Sequence, residues 1–400
     1  MEQEFILKSE RVNELTAQFG RLLHGHLEDE LAIWPPEGRQ LDINAWVRSR
    51  MFRASTDALI GSSLLQEYPE LEEDFFEFDR HFISLFFGLP KLLNYRAHSA
   101  RDKVFAGVMR WQNKMEDALQ HGSKISPVDS KTDWEPMFGS RANRVRQFYY
   151  RDRGIDVRTR AALDTGFIFG ISSNAIPAAS WMLMHILDPS DKERTLYHRV
   201  LTELDQVRRP GDSLPDISRL VGLPLLNSIF HEILRLYVDA LVTREVHQPL
   251  LLPVGNGRHL YFPPGSVIFA PSWPAHRNPG SWPGPPADQF YADRFLKLDP
   301  NTGKLRFSTS GIAGKLFPFG GGKTMCPGRV FAKNEILLST AYFLLNFDFG
   351  VSEYVDGKGN PTSQFPGFSD SYPGSAIVAA EGDIRVTVKK RKNSASTCTE

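Results

Sequence analysis

One loop offers two competing chemistries. In the stretch LFPFGGGKTMCPGRVFA, residues 316–332, the run from Gly320 to Thr324 ends like a phosphate-binding loop, and Cys326 stands two residues further on. A phosphate loop requires G-x-x-x-x-G-K-[ST], rising from a strand and opening into a helix. Gly322, Lys323 and Thr324 supply its end, but Phe317 occupies the place of the first glycine and Pro318 follows without an N–H. No buried strand leads in, and no acidic metal ligand stands out downstream. Centred on Cys326, the loop reads Phe319-x-x-Gly322-x-x-x-Cys326-x-Gly328. Glycines 320, 321, 322 and 328 let the backbone approach a flat object, with amides expected to point at the sulfur and stabilise a thiolate. Pro327 is expected in the first turn of a following helix, whose positive end favours an anionic sulfur. A lone cysteine does not suit structural zinc, which takes four closely spaced ligands. It suits haem iron, where the porphyrin supplies four nitrogens and the protein one axial thiolate.

Two further groups carry polar side chains in telling places. HEILRLY sets Glu232 and Arg235 one helical turn apart, so that they can pair on one face. The zinc-protease reading HExxH fails, because Arg235 stands where the second histidine belongs and a guanidinium cannot ligate a metal. In GISSNAIP, Pro177 has no N–H, so the carbonyl of Ser173 loses its helical partner beside Asn174. A locally widened helix there could hold oxygen and water; an ordinary kink is the plainer alternative.

The Cys326 loop resembles the haem-binding signature of the cytochrome P450 family of haem-thiolate monooxygenases. The resemblance implies a mainly α fold with small β-sheets, N-terminally truncated against longer family members. It implies haem b, with Cys326 as the iron's axial ligand and Phe319, Gly320, Gly322 and Gly328 around it. Arg244 in LVTREV resembles the arginine that pairs a haem propionate, as a buried anion requires. Arg294 in FYADRF resembles the third member of a structural network with Glu232 and Arg235. Ser173 stands where the family's distal acid is usual and Asn174 where its threonine is, so both are expected at the catalytic side. The Asn-x-x-Pro form, FGGGKTMCPGR, and GLPKLLNYRAHSAR resemble the branch containing sterol 7α-hydroxylases and prostacyclin synthase, which implies a bulky apolar substrate. Family topology then puts Phe167, Gly170, Val238, Leu241, Ser375, Ala376 and Ile377 at the pocket. The implied reaction inserts one oxygen atom from O2, with NADPH electrons arriving through a reductase that docks near Lys323, Arg329 and Lys333. A haem-thiolate isomerase or dehydratase acting on a peroxide without a reductase, or an inactive truncated relative, are the alternatives. The resemblance runs from about Ala45 to Val388. It also implies endoplasmic-reticulum association through an N-terminal anchor and contact with a membrane surface; the chain as given shows no signal or anchor, which would leave it cytosolic.

These groups need elements to hold them. Apolar positions at helical spacing predict helices over Ser9–Leu31, Trp46–Leu65, Glu70–Leu89, Arg96–Leu119 and Pro224–Val238. Gly88-Leu89-Pro90 is a natural stop between two of them. The arginine-rich run from Arg141 to Arg160 reads as a solvated face. Thr165–Leu187 lacks Asp, Glu, Lys and Arg and is long enough to cross a bilayer. Its Ser172, Ser173, Asn174, Pro177 and His185 favour one helix buried within protein. After residue 245 short apolar runs alternate with Gly and Pro, which predicts strands and turns. A stripe of Phe331, Leu337, Leu338, Ala341 and Leu345 predicts a helix after the cysteine, and SAIVAAEGDIRVTVKK reads as a closing hairpin turning at Glu381-Gly382. The whole reads as a single haem-thiolate domain, helical over about 1–245 and mixed over about 246–390, with a disordered tail at 391–400.

The bulk numbers agree with this class. The 400 residues are 41% hydrophobic, enough for a large core, and 47 basic residues balance 47 acidic ones. A neutral chain lacks the basic footprint of nucleic-acid binding. Two cysteines, Cys326 and Cys398, cannot make a disulfide framework. Cys398 sits in a polar tail and reads as an exposed thiol.

Overall fold

The computed structural model describes residues 9–126, 133–282, 284–369 and 375–391, and in it the apolar periods of the first half become helices. These are α1 (Ser9–Leu31), α2 (Ile43–Leu59), α3 (Ser62–Glu67), α4 (Leu71–Phe86), α5 (Tyr95–Gln120) and α6 (Arg141–Asp152). The segment expected as one helix over Trp46–Leu65 is broken after Leu59. Gly61 there takes φ 108°, and a Cβ on it would fall 2.4 Å from the carbonyl oxygen of Pro136. Only glycine lets the chain turn that closely past another backbone.

The apolar stretch expected as one buried helix is two: α7 (Val157–Ser172) and α8 (Ala175–Ile186), interrupted at Ser173 and Asn174. Most of its apolar window is buried inside the protein, so it is core despite its length. Helices α9 (Thr195–Asp205), α10 (Pro224–Tyr237) and α11 (Arg329–Asn346) follow. The α11 stripe is buried as the spacing predicts, and so are Ile336, Tyr342, Phe343 and Leu344 on its other sides. α11 is therefore a central helix, packed against α1 and α8.

The arginine run from 141 to 160 is not a solvated face. Arg144 and Arg160 are buried, and Arg146 pairs with Asp164 at 3.3 Å while Arg151 pairs with Glu116 at 2.8 Å. These acids sit on α5 and α7, and the sequence separation between partners hid the match. Asp164 is wholly enclosed, and burial raises its pKa against the pull of Arg146.

The main sheet has the order β1 (Arg39–Asp42), β6 (Asp383–Lys390), β4 (Phe347–Val355) and Pro361–Thr362. Ile384, Val386 and Val388 are buried and alternate as predicted. The expected C-terminal hairpin does not form. β6 pairs antiparallel with β4 and β1, with Val388 opposite both Phe349 and Arg39. The strand before it, β5 (Ser375–Ile377), pairs with β2 (Val238–Glu245), which pairs in turn with β3 (Val267–Pro271). Strands β1, β5 and β6 find their partners in distant chain, whereas β4 also pairs locally with Pro361–Thr362. Cys398 and the rest of 392–400 lie outside the described residues.

Candidate active site

The cysteine loop crosses the front of α11. The amide of Cys326 donates to the carbonyl of Phe319 at 3.0 Å, closing the loop on itself. Gly320 and Gly322 take φ 73° and 62°, which a side chain would strain. Gly328, not Pro327, caps α11, so Pro327 lies before the helix rather than in its first turn. A Cβ on Gly328 would come 3.8 Å from the sulfur. Among the described residues no amide donates to Sγ; Cys326 is exposed toward the open side of a cavity that it lines.

That cavity is about 440 Å³. Cys326, Phe319, Gly320 and Gly328 line it together with Gly170, Asn174 and Ala175 of the broken helix. Val238, Leu241, Arg244 and Ile377 complete the rim with other apolar groups. Asn174 has φ −119° and ψ −53°, and its Oδ1 accepts the amide hydrogen of Ile377 at 3.2 Å. The carbonyl of Ser173 has no i+4 donor, since Pro177 has no N–H. Register sets Ser375 and Ala376 opposite Ala240 and Asp239 on β2.

Phe167, Ser173 and Gly322, all expected at this site, do not line this cavity. Phe167 lies on α7 before the break, where the guanidinium of Arg146 stacks on its ring at 3.9 Å. Ser173 donates its hydroxyl to the Phe169 carbonyl at 2.6 Å.

Glu232 and Arg235 are fully buried, and Arg294 closes over them from the edge. Arg235 donates to both carboxylate oxygens of Glu232 at 2.7 and 2.8 Å, and Arg294 Nε to the same pair at 2.9 and 3.1 Å. The spare guanidinium hydrogens go to carbonyls of the Pro-rich meander: Arg235 to His276 at 2.8 Å, Arg294 to Pro285, Pro286 and Gln289 at 3.1 Å each. Helix α10 is thus bolted to chain more than fifty residues away by charge-assisted bonds.

Of the three basic groups near the loop, Lys323 is exposed. Arg329 donates back to the Cys326 carbonyl at 2.9 Å. Lys333 is turned inward to the Val221 carbonyl at 3.3 Å, and burial lowers its pKa. It offers no free charge at the surface, because its neighbours on α11 are core.

Glu335 and Asp79 escaped the sequence reading, and His185 was read only as part of a buried helix. Glu335 on α11 reaches the cavity wall and accepts a hydrogen bond from Ser55 of α2; burial pushes its pKa up to about 8. His185 is stacked between Phe290 and Phe365 and bonded to the Tyr237 hydroxyl at 2.6 Å, and burial drives its pKa down to about 3. Asp79 of α4 faces Ser173. A lone acid three residues beyond Phe76 carried no signal, since its partner is in another helix.

The residues present fit a haem. Arg244 reaches the cavity with only the Thr243 and Gly321 carbonyls as acceptors, and no carboxylate pairs with it among the described residues, as a guanidinium awaiting a propionate would stand. The glycine cradle and apolar walls suit a flat macrocycle, and one thiol suits an iron already held by four nitrogens. Among the described residues no three His, Cys, Asp or Glu side chains gather to hold a metal ion by themselves.

A helical core that opposes a lone cysteine to a broken buried helix across an apolar cavity defines the haem-thiolate class. The family profile described as Cytochrome P450 matches residues 10–369, and the chain belongs to that family. The match starts well before Ala45 and takes in α1. Membership carries haem b with a cysteine thiolate on the iron, electrons from a redox partner, and oxidoreductase chemistry. The chain is 32% identical over 97% of its length to Cytochrome P450 monooxygenase calL of Penicillium decumbens, of which it spans 70%. It is 32% identical over 88% of its length to Cytochrome P450 monooxygenase fsoE of Humicola fuscoatra, spanning 62% of that protein. Cytochrome P450 7A1 of Oryctolagus cuniculus is 27% identical over 85% of the chain, with 64% of the relative covered.

Proposed function

We propose that this chain is a haem-thiolate monooxygenase, with Cys326 as the iron ligand and a bulky apolar substrate of the sterol, lipid or secondary-metabolite kind. The observation that carries this reading is the cavity held between Cys326 on one side and Gly170–Asn174 on the other. When bound, the haem supplies activation of O2 and transfer of one oxygen atom. The protein's part is positional. Arg244 anchors a propionate at the rim, and the glycines admit the macrocycle. Asn174, fixed by Ile377, would present its amide group to the cavity that would hold the haem, while Val238, Leu241 and Ile377 exclude water around an apolar substrate. Glu232, Arg235 and Arg294 keep the meander and loop in register. The chain acts as one unit: its core cluster runs from Val12 to Val388.

Electrons come from an NADPH-dependent reductase on the Cys326 side, near Lys323. Contact with a membrane surface falls to the α4–α5 connection, where Leu92 and Leu93 are 93% and 77% exposed beside Phe86, Phe87 and Tyr95. Such a patch is larger than scattered surface apolar groups need be. The deciding measurement is the spectrum of the reduced protein with carbon monoxide. A red-shifted thiolate Soret band in the wild type, lost in Cys326→Ala, supports the reading; no band in the wild type sinks it. Turnover that requires NADPH and reductase separates oxygen insertion from peroxide rearrangement.

A further inference from the structure

The chain passes from α10 to β2 without a loop. Tyr237 is the last helical residue, and Val238, at φ −87° and ψ 122°, is the first of the strand. The start of β2 lines the Cys326 cavity, with Val238, Ala240 and Leu241 all in its wall. One edge of this stretch is held by β5, where Ile377 lies opposite Val238 and Ser375 opposite Ala240. Ile377 is in turn held by Asn174. On the other edge β3 reaches only to Pro271, opposite Leu241. Pro271 has no N–H, and from Ser272 the chain turns into a one-turn helix, Ser272–His276. The ladder with β3 therefore stops before the corner, and β3 gives the Val238 carbonyl and the Ala240 amide no backbone partner.

The side chain of Ser272 takes that place. Its Oγ accepts the amide hydrogen of Ala240 at 2.7 Å and donates its own hydrogen to the Val238 carbonyl at 3.0 Å. A hydroxyl can accept and donate at once, so one side chain stands in for the missing rung of the sheet. Ser272 is wholly buried and Val238 is buried beside it. A backbone group that lost its partner there would find no water to replace it. Ser272 itself does not line the cavity; it lies behind the wall and acts through the strand it holds.

We propose that Ser272 sets how large an apolar ligand the Cys326 cavity accepts, by fixing the backbone of Val238–Leu241 through its hydroxyl. Ser272 touches neither ligand nor cofactor, so it is a positioning residue. Without the hydroxyl the start of β2 is held on the β5 edge alone, and the side chains of Val238, Ala240 and Leu241 lose their fixed place. A large ligand that packs on this wall then loses contacts; a small one, which needs little of the wall, does not. The inference rests on the haem-thiolate reading above.

The test uses the purified haem protein as wild type, Ser272→Ala, Ser272→Thr and Ser272→Val, with imidazole as the small probe and clotrimazole as the large apolar one. Thr and Val have the same shape and differ in the hydroxyl. The readouts are the reduced carbon-monoxide spectrum, the Kd of each probe from difference spectra, and hydrogen exchange at the Ala240 amide. Ser272→Ala keeps the thiolate band, and its Kd for clotrimazole relative to imidazole rises at least about fivefold, the share of binding that one lost hydrogen bond commonly takes. Ser272→Val shows the same rise, and Ser272→Thr stays nearer to wild type. Exchange at Ala240 is slow in the wild type and in Ser272→Thr and faster in the two variants without a hydroxyl. Equal Kd ratios in Ser272→Thr and Ser272→Val, or equal weakening of both probes in Ser272→Ala, overturn the inference alone. So does exchange at Ala240 in the folded wild type as fast as in an unfolded chain. If both hydroxyl-free variants lose a band that the wild type shows, the hydroxyl serves the fold as a whole and the inference is overturned. A wild type without the band overturns the haem-thiolate reading and the inference with it.

Discussion

The side chain of Asn174 and the amide of Ile377 are joined by a hydrogen bond of 3.2 Å across 203 residues of chain. It ties the helix break to β5, and both residues line the cavity that Cys326 also lines.

Asn174→Ala removes that bond at a cost of about 1 kcal/mol and frees β5 from the break. The folded protein persists, and the reduced carbon-monoxide spectrum is retained. Product formed per NADPH falls severalfold in an assay with an accepted apolar substrate. Unchanged coupling would exclude Asn174 from the oxygen-handling side.

Glu232, itself buried, neutralises two guanidinium groups, that of Arg235 fully buried and that of Arg294 at the edge of the site. Glu232→Ala leaves both unpaired and destabilises the protein by about 3–5 kcal/mol, as breaking a buried pair does. Urea unfolding monitored by circular dichroism reads this loss directly. Arg294→Lys keeps one charge but cannot serve Glu232 and three carbonyls together, so it falls between wild type and Glu232→Ala.

The buried Glu335 makes stability depend on pH in a stated direction. Its folded pKa of about 8 lies above the ordinary 4.5, so the folded chain holds a proton that the unfolded chain has released. Stability therefore falls as pH rises between those two values. In Glu335→Gln the slope over about pH 5–8 flattens, measured as urea midpoints at several pH values. An identical slope in wild type and variant would mean that Glu335 is ionised in the fold.

Leu92→Glu/Leu93→Glu places charge on the most exposed apolar residues of the α4–α5 connection. Co-flotation with phospholipid vesicles drops at least severalfold, while the carbon-monoxide spectrum stays as in wild type. Equal flotation of both proteins would locate membrane contact elsewhere.

The sequence alone determined what nearest neighbours in the chain decide. Periodic apolar residues specify Ser9–Leu31 and Pro224–Tyr237, because helix faces repeat every three or four residues. The loop that closes Cys326 on Phe319 was equally legible, since its glycines and cysteine are adjacent in the chain. The Glu232–Arg235 pair needed only one helical turn. Tertiary structure alone decided which strands pair, why Arg144 and Arg160 are inside, and that Asp79 and Glu335 have partners on other helices. In each case the controlling contact joins residues far apart in sequence. Burial, which sets both pKa and partner, arises only when those elements pack.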